Sequence, residues 1–211
     1  MRLEQNIIVK HVLPDIAQLI PHQFKIRMGP DGILLFNCRT GLNILIDEIQ
    51  VSGEMLHIAP RHVSIALTNA CDLNCYHCFA PKHAARLNVD RVTAWVDELD
   101  GNGCIGVGFG GGEPTLYREL PNVCRYVAKE TKMAVTLTTH GHRIDERLAA
   151  DLKGSVHFIR VSMDGLGATY EKIRKRPFSL LLRQLELIRE IAPFGINYLV
   201  NQMTFPEIDE A

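Results

Sequence analysis

The stretch that decides the fold is HVSIALTNACDLNCYHC at residues 62–78. Its first six residues alternate between polar and apolar side chains, a pattern typical of a half-buried β-strand. Three cysteines follow, Cys71, Cys75 and Cys78, at spacings of four and three. A structural zinc site is normally closed by four protein ligands, so three thiolates in eight residues leave a metal centre with one position still to fill. The sequence therefore predicts a metal-binding loop directly after a strand.

The chain beyond this loop alternates between β-rich runs and amphipathic helical runs. Strands are predicted at 62–67, 104–110, 133–139, 157–162 and 196–204, and helices at 92–101, 120–127, 145–154 and 179–192. Strands that alternate with helices favour a parallel sheet with helices outside it and binding loops at the C-terminal ends of the strands. The predicted fold class is α/β, with five β/α units visible and a sixth missing.

The two ends of the chain do not follow this alternation. HQFKIRMGPDGILLFN (22–37) predicts two strands joined by a Gly-Pro-Asp-Gly turn, and TGLNILIDEI (40–49) continues as a helix or a strand. We predict a small α+β prefix at 1–60 and a core at 61–211. The final FPEIDEA has the proline and acidic residues of a first helical turn. We therefore expect either a piece of a longer protein or a gene product that is short by at least a strand and a helix.

Composition excludes several classes of function. The chain has 211 residues, of which 46% are hydrophobic, and its net charge of −1 favours neither nucleic acid nor an anionic membrane surface. No run has the length of a signal peptide's apolar core or of a membrane span. Six cysteines without a secretory signal favour metal ligands or buried thiols over disulfides. A cytoplasmic protein is expected, with no nucleic-acid partner and no membrane partner.

Three thiolates can hold a cubane iron–sulfur cluster by three of its irons and leave the fourth open to a small molecule. The cysteine loop is followed by GGEP (111–114) after the second predicted strand and by SMDG (162–165) after the fourth. In these motifs and their order, residues 63–204 resemble the radical S-adenosylmethionine (SAM) superfamily. The resemblance implies a partial (β/α) barrel, and a 4Fe-4S cluster on Cys71, Cys75 and Cys78 with SAM as the second cofactor.

The resemblance also implies the residues that contact SAM. His77 lies at the family's adenine position, GGEP at the methionine amino group, the SMDG residues at the ribose and carboxylate, and Arg174 or alternatively Arg176 near the carboxylate. The implied cofactor-binding residues are His77, Gly111, Gly112, Glu113, Pro114, Ser162, Asp164 and Arg174. Independently, an amine needs a carboxylate or carbonyls nearby, and glycines let the backbone approach. Ser162 and Asp164 are two residues apart, so on an extended segment both point the same way.

The function implied by the resemblance is reductive cleavage of SAM. SAM would chelate the open iron, an external reductant of the flavodoxin or ferredoxin type would supply one electron, and a 5′-deoxyadenosyl radical would abstract hydrogen from a substrate. The motif set looks most like the branch that modifies peptides, proteins or peptide-derived cofactors. The prefix has the size of a peptide-recognition module, and an exposed strand edge captures peptides by β-augmentation. No catalytic side chain beyond the cluster and SAM sites is predicted.

Other interpretations stay open at this stage. The cysteines bind structural zinc if His77, His83 or Cys104 supplies a fourth ligand. GVGFGG (106–111) is a dinucleotide fingerprint only if a helix follows it directly, and Glu-Pro-Thr follows instead. A truncated barrel could also bind the cluster and SAM without turnover.

Several single residues carry weaker signals. His140 in TTHG (138–141), where relatives often have Thr-Asn-Gly, either faces the site or lies in a solvent-exposed turn. Cys124 and Cys104 are predicted to be structural, and Cys38 to be a plain thiol. Residues 199–201 show no pattern that can be assigned to the adenine.

Overall fold

The computed structural model describes residues 24–81 and 83–211. The first of its two sheets is antiparallel and consists of β1 (Phe24–Gly29), β2 (Gly32–Asn37) and β3 (Asn43–Ile46), in that order. The predicted hairpin is therefore present, and the segment whose state was left open forms a strand. Residues 24–60 contain no α-helix, and the rest of the predicted α+β prefix, residues 1–23, lies outside the described residues.

The second sheet is parallel and its five strands are adjacent in sequence order. The strands are β4 (His62–Thr68), β5 (Gly106–Gly111), β6 (Ala134–Thr139), β7 (Phe158–Ser162) and β8 (Phe194–Asn197). The helices are α1 (Val89–Gly101), α2 (Leu120–Glu130), α3 (Glu146–Leu152), α4 (Gly167–Arg174) and α5 (Phe178–Ile191). The predicted α/β class is confirmed, and the sheet does not close into a full barrel. Among the described residues, no helix is long and apolar enough to cross a membrane.

The two faces of the parallel sheet differ in chemistry. The convex face packs on the helices and holds the largest part of the core, with fully buried side chains at Val107, Phe109, Val135, Leu137, Ile159 and Val161. The strand register places the other set of side chains on the concave face: His62, Ser64, Ala66, Gly106, Gly108, Gly110, Ala134, Thr136, Thr138, Phe158, Arg160, Ser162, Gly195 and Asn197. Because these residues are mostly small or polar, the concave face leaves room for ligands at the ends of the strands.

Two cations from β1 join the antiparallel sheet to the core. Arg27 is buried and donates from Nη1 to the Gly103 carbonyl and from Nη2 to the Ala59 carbonyl, both at 2.7 Å. Lys25 forms an ion pair with Asp100. Gly103 precedes β5, so this sheet contacts the core at the N-terminal ends of the parallel strands. The loops that carry the sequence motifs lie at the opposite ends.

The prediction of a strand at 196–204 was wrong beyond Asn197. Side chains take the backbone donors that a longer strand would use in its ladder. The Leu199 amide donates to Asp164 Oδ1 at 3.1 Å, and the Asn201 amide donates to Thr204 Oγ1 at 2.9 Å. The chain therefore turns after β8, and a short 3₁₀ helix follows at Phe205–Glu207.

Candidate active site

A cavity of about 360 Å³ opens at the C-terminal ends of the parallel strands. Its lining includes all three residues of the cysteine motif and most of the predicted SAM contacts, and in full consists of Cys71, Leu73, Cys75, His77, Cys78, Phe79, Ala80, Gly111, Gly112, Glu113, Thr138, Thr139, His140, Ser162, Arg174 and Asn197. Of the predicted site residues, Asp164 and Pro114 lie outside this lining, and both are buried. The fold thus brings together motifs that are about 100 residues apart in sequence.

The three cysteines line this cavity but differ in exposure. Cys75 is buried, Cys71 is half-buried and Cys78 is exposed. Donors point at two of the sulfurs: the Leu73 amide donates to Cys71 Sγ at 3.4 Å, and Arg174 Nη1 lies 3.7 Å from Cys75 Sγ. These two donors orient the sulfurs at the wall of the cavity.

The spacing of the ligand atoms argues against a single zinc ion on the three cysteines. Thiolates around one tetrahedral zinc lie about 3.8 Å apart, given a Zn–S bond of about 2.3 Å. In the described chain, the three sulfurs do not form a group with mutual distances within 4.8 Å, whereas Cys71, Asp72 and His140 do. A cluster whose irons are separate atoms suits more widely spaced cysteines. Of the three candidate fourth ligands, Cys104 is buried just before β5, at the far end of the sheet from the cysteine loop.

The GGEP motif fastens the cysteine loop to β5. The Gly112 amide donates to the Thr68 carbonyl at 2.7 Å, and the Glu113 amide donates to the Ala70 carbonyl at 2.8 Å. A Cβ at Gly111, whose φ is +127°, would lie 2.2 Å from Thr68 O, and one at Gly112 would lie 2.3 Å from Ala70 O. The two glycines are therefore required by the close approach of the cysteine loop itself, a reason that the sequence did not reveal.

Glu113 is 1% exposed, and its carboxylate is held from several sides. Oε1 accepts from Thr115 N at 3.1 Å, Thr115 Oγ1 at 2.6 Å and Thr139 Oγ1 at 2.7 Å. Oε2 accepts from the backbone N–H of His140 at 3.0 Å. These bonds fix the carboxylate at the wall of the cavity, where an amine could approach it.

His140 faces the site, which settles the alternative that the sequence left open. It is 4% exposed and lines the cavity. The His142 amide donates to its Nδ1 at 3.1 Å, so Nε2 carries the proton and donates to Asp72 Oδ1 at 2.8 Å. Burial, the largest influence on Asp72, favours the neutral acid, but the hydrogen bond from His140 and the charge of Arg143 outweigh it and lower the pKa of Asp72.

Asp164 is buried, is not part of the cavity lining, and contacts two residues that line the cavity. β7 ends at Ser162, and Gly165, with φ of +85°, turns the chain. Asp164 Oδ2 lies 2.5 Å from Arg174 Nη2 and 3.2 Å from His77 Nε2. The carboxylate therefore holds two cavity residues in place, and its contact with SAM stays a prediction.

The two arginines that could contact the SAM carboxylate have different ion-pair partners. Arg174 lines the cavity and pairs with Asp164. Arg176 lies 3.5 Å from Asp72 Oδ2, on the outer side of the cysteine loop. The geometry favours Arg174 as the residue facing a ligand.

The residues present fit a 4Fe-4S cluster together with SAM. The three cysteine sulfurs are too far apart to bind one ion together, but each can bind a separate iron of a cluster. His77 Nδ1 and Arg174 Nε are buried and have no hydrogen-bond partner among the described residues, so the site contains polar atoms that a bound molecule would satisfy. Burial is the largest influence on His77 and lowers its pKa. The charge of Asp164, next in size, opposes this and the smaller effect of Arg174 adds to it, so the site favours the neutral ring, which suits an adenine.

Comparison with known proteins gives a consistent result. The family model described as "Radical SAM superfamily" matches residues 65–211. Fe-coproporphyrin III synthase of Methanosarcina barkeri is 31% identical over 150 residues, which are 67% of this chain and 37% of that protein. Mycofactocin maturase MftC of Mycolicibacterium smegmatis is 29% identical over 160 residues, which are 72% of this chain and 41% of that protein. The chain thus spans about two fifths of the length of these relatives.

Among solved structures, Streptococcus suis SuiB bound to S-adenosylmethionine aligns with a TM-score of 0.73 and 18% identity, covering 90% of this chain and 59% of SuiB. A further structure, of SuiB bound to the precursor peptide SuiA, aligns with the same TM-score. At this identity the likeness concerns the fold. It extends beyond residues 65–211 and so includes part of the prefix.

Proposed function

Because the chain belongs to the radical SAM superfamily, we propose that it forms the catalytic core of an enzyme that cleaves SAM reductively and directs the resulting radical to a peptide or protein substrate. The observation that supports this proposal is a single cavity that holds Cys71, Cys75 and Cys78 together with Glu113 and Arg174. The family uses a 4Fe-4S cluster and SAM, which together supply methionine and a 5′-deoxyadenosyl radical that abstracts hydrogen.

The three cysteines bind three irons of the cluster in this proposal. Glu113 and the backbone around Gly111 and Gly112 accept the amino group of SAM, and Pro114 holds that turn from the buried side. The planar guanidinium of Arg174 pairs with the carboxylate. These residues would hold the amino acid part of SAM beside the cysteine loop.

The remaining residues bind the nucleoside part. Ser162 hydrogen-bonds the ribose, and the ring of His77 packs on the adenine. Asp164 is a positioning residue, because its carboxylate holds both His77 and Arg174. The walls formed by β5 and β6 exclude water from the reacting atoms.

Electron delivery is proposed to come from a flavodoxin or ferredoxin. Cys78 is exposed, and Phe79 beside it is fully exposed. A cluster held by this loop therefore has one side close to the protein surface, where a small electron carrier can dock. The proposed compartment is the cytoplasm, whose reducing conditions suit a chain with six cysteines.

An unpaired strand edge in the prefix supports the proposal of a peptide substrate. We treat residues 1–60 as a recognition module and 61–211 as the core. β3 pairs with β2 on one side, and its other edge has no partner strand among the described residues. Leu42, Ile44 and Leu45 are exposed along this edge. An extended peptide adding to this edge would gain backbone hydrogen bonds and bury these side chains.

The decisive experiment is anaerobic reconstitution with iron and sulfide, followed by dithionite, SAM and quantification of 5′-deoxyadenosine. Wild type and Cys38→Ala, which changes a half-buried thiol outside the site, are expected to form product, and Cys75→Ala is not. An iron-loaded protein that binds SAM and forms no product would favour a non-catalytic binding protein. Uptake of zinc without iron would refute the proposal.

A further inference from the structure

Arg160 lies on the concave face of the parallel sheet, next to the candidate active site. The register of β6, β7 and β8 pairs Arg160 with Thr138 on one side and with Gly195 on the other. It precedes the cavity residue Ser162 by two positions on the same face, which is about 7 Å along the strand. Arg160 therefore lies one layer deeper in the half-barrel than the proposed SAM site.

A second cavity of about 300 Å³ adjoins the first. It lies in front of β4 and β5, where its wall includes Ser64, Ala66 and Gly108. Thr138 borders both cavities and is the register neighbour of Arg160, one strand spacing or about 4.8 Å away. Arg160 is not part of the lining of either cavity, but it lies beside Thr138, which borders both.

The charge on this face is unbalanced. The concave positions of β4 to β8 include no Asp or Glu, and within the described residues Arg160 has neither a hydrogen-bond partner nor an ion-pair partner. Its one charged or titratable neighbour on the face is His62, whose ring lies over Gly106 and Gly108. A half-buried guanidinium without a carboxylate beside it favours an anion from outside the chain.

We propose that Arg160 binds an anionic oxygen group, a carboxylate or a phosphate, of the substrate and thereby sets which part of the substrate faces the SAM site. This inference rests on the proposed function, because it assigns the second cavity to the substrate. The forked guanidinium binds two oxygens at once, which fixes orientation as well as position. Ser64, Thr136 and Thr138 are the neutral hydrogen-bonding groups of the same face.

His62 provides a local reporter for this site. Its partial burial and, second, the positive charge of Arg160 lower the pKa of its imidazole. An anion bound to Arg160 would cancel that positive charge, so the pKa of His62 would rise. Replacing Arg160 with a neutral side chain would raise it in the same direction without any anion.

The experiment is an NMR titration of the His62 ring in the cluster-loaded protein, with His62→Gln to assign the signal. Inorganic phosphate and succinate are the two probes. In wild type we expect a saturable rise in the pKa of His62 with at least one probe, and the probe that acts identifies the anion class. In Arg160→Gln, the pKa of His62 should already be raised before an anion is added and should not respond to either probe. Arg160→Lys should retain part of the response. The exposed Arg189→Gln serves as the matched control.

Two results would overturn the inference: no change in the pKa of His62 with either probe, or the same change in wild type and in Arg160→Gln. Iron content equal to that of wild type shows that each variant is folded. Formation of 5′-deoxyadenosine by the same wild-type preparation separates the two proposals. Product without an anion response refutes only the anion site, and an anion response without product refutes only the proposed SAM cleavage.

Discussion

Asp164 and Arg174 form a buried ion pair, with 2.5 Å between Oδ2 and Nη2 and side-chain exposures of 3% and 12%. The aspartate follows β7 and the arginine ends α4, so the pair joins two elements at the wall of the candidate site. Because both groups are largely withdrawn from water, the loss of one leaves the other as a buried, unpaired group. Breaking the pair is therefore expected to lower stability and, if the proposed function holds, to weaken ligand binding.

Asp164→Asn is expected to weaken both properties. The substitution keeps the size of the side chain but leaves the Arg174 guanidinium without its counter-charge, which costs about 3 kcal/mol of unfolding free energy. The misplaced guanidinium should also raise the Kd for SAM about tenfold, equivalent to about 1.4 kcal/mol. Urea unfolding and calorimetric titration with SAM measure the two effects.

The matched control is Glu186→Gln, which breaks the exposed pair between Glu186 and Arg189, 3.9 Å apart. An exposed pair contributes little, so the change in unfolding free energy should stay below about 0.5 kcal/mol. Equal changes in unfolding free energy for the two substitutions would show that the buried Asp164–Arg174 pair contributes no more than an exposed pair.

Gly112→Ala is expected to remove most of the bound iron. The added Cβ would lie 2.3 Å from the Ala70 carbonyl, within the backbone that leads into Cys71. Backbone atoms cannot move aside as a side-chain end does, so the cysteine loop must shift. Iron content per chain after reconstitution is the measurement.

Gly101→Ala is the control for that substitution, because a Cβ at Gly101 meets no atom within 4 Å. It should bind iron as wild type does and gain slightly in helix stability. Full iron loading of Gly112→Ala would contradict the role given to the GGEP backbone.

The sequence predicted those parts of the site that depend on local pattern. The alternation in 62–67 and the following cysteines placed the loop at the end of a strand, and the fold confirms the parallel α/β arrangement. GGEP and Ser162 lie at the same edge because parallel strands place their C-terminal ends together. Their assignment to SAM remains a prediction that the experiments above test.

Other parts of the site could not be predicted because they depend on contacts between distant residues. Asp72, the partner of His140, lies 68 positions earlier in the chain. The contacts of Asp164 with Arg174 and His77 likewise join residues that are distant in sequence, and its spacing from Ser162 does not reveal them. The apolar residues after Asn197 predicted a longer strand. Their backbone amides instead donate hydrogen bonds to the side chains of Asp164 and Thr204, so the strand ends.

His142 is expected to make stability depend on pH. Burial is the largest cause, the positive charges of Arg176 and Arg174 add to it and Asp72 opposes it, and the pKa of His142 falls to about 4. In the unfolded chain its pKa is about 6.5. Between these values the unfolded chain binds more protons, so the stability from His142 is complete above pH 6.5 and is lost as pH falls through about 4.

His142→Gln tests this expectation, because glutamine can still hydrogen-bond the Tyr170 hydroxyl, which lies 2.7 Å from His142 Nε2, and does not titrate. The unfolding free energy of the variant should fall less between pH 7.5 and pH 5 than that of wild type. Urea unfolding of both proteins at the two pH values gives the comparison. Parallel losses in the two proteins would assign the pH dependence to other groups.

Arg27→Met is expected to loosen the antiparallel sheet while the parallel sheet keeps its structure. The substitution removes the two charge-assisted hydrogen bonds to the Gly103 and Ala59 carbonyls and leaves these acceptors unpaired, at a cost of about 2–3 kcal/mol. Hydrogen exchange should therefore accelerate at the amides of β1 to β3 and stay unchanged in β5 to β7. Arg39→Met, in the exposed turn between β2 and β3, should alter neither. Uniform acceleration through both sheets would mean that they unfold as one unit, and the prefix would then not be a separable recognition module.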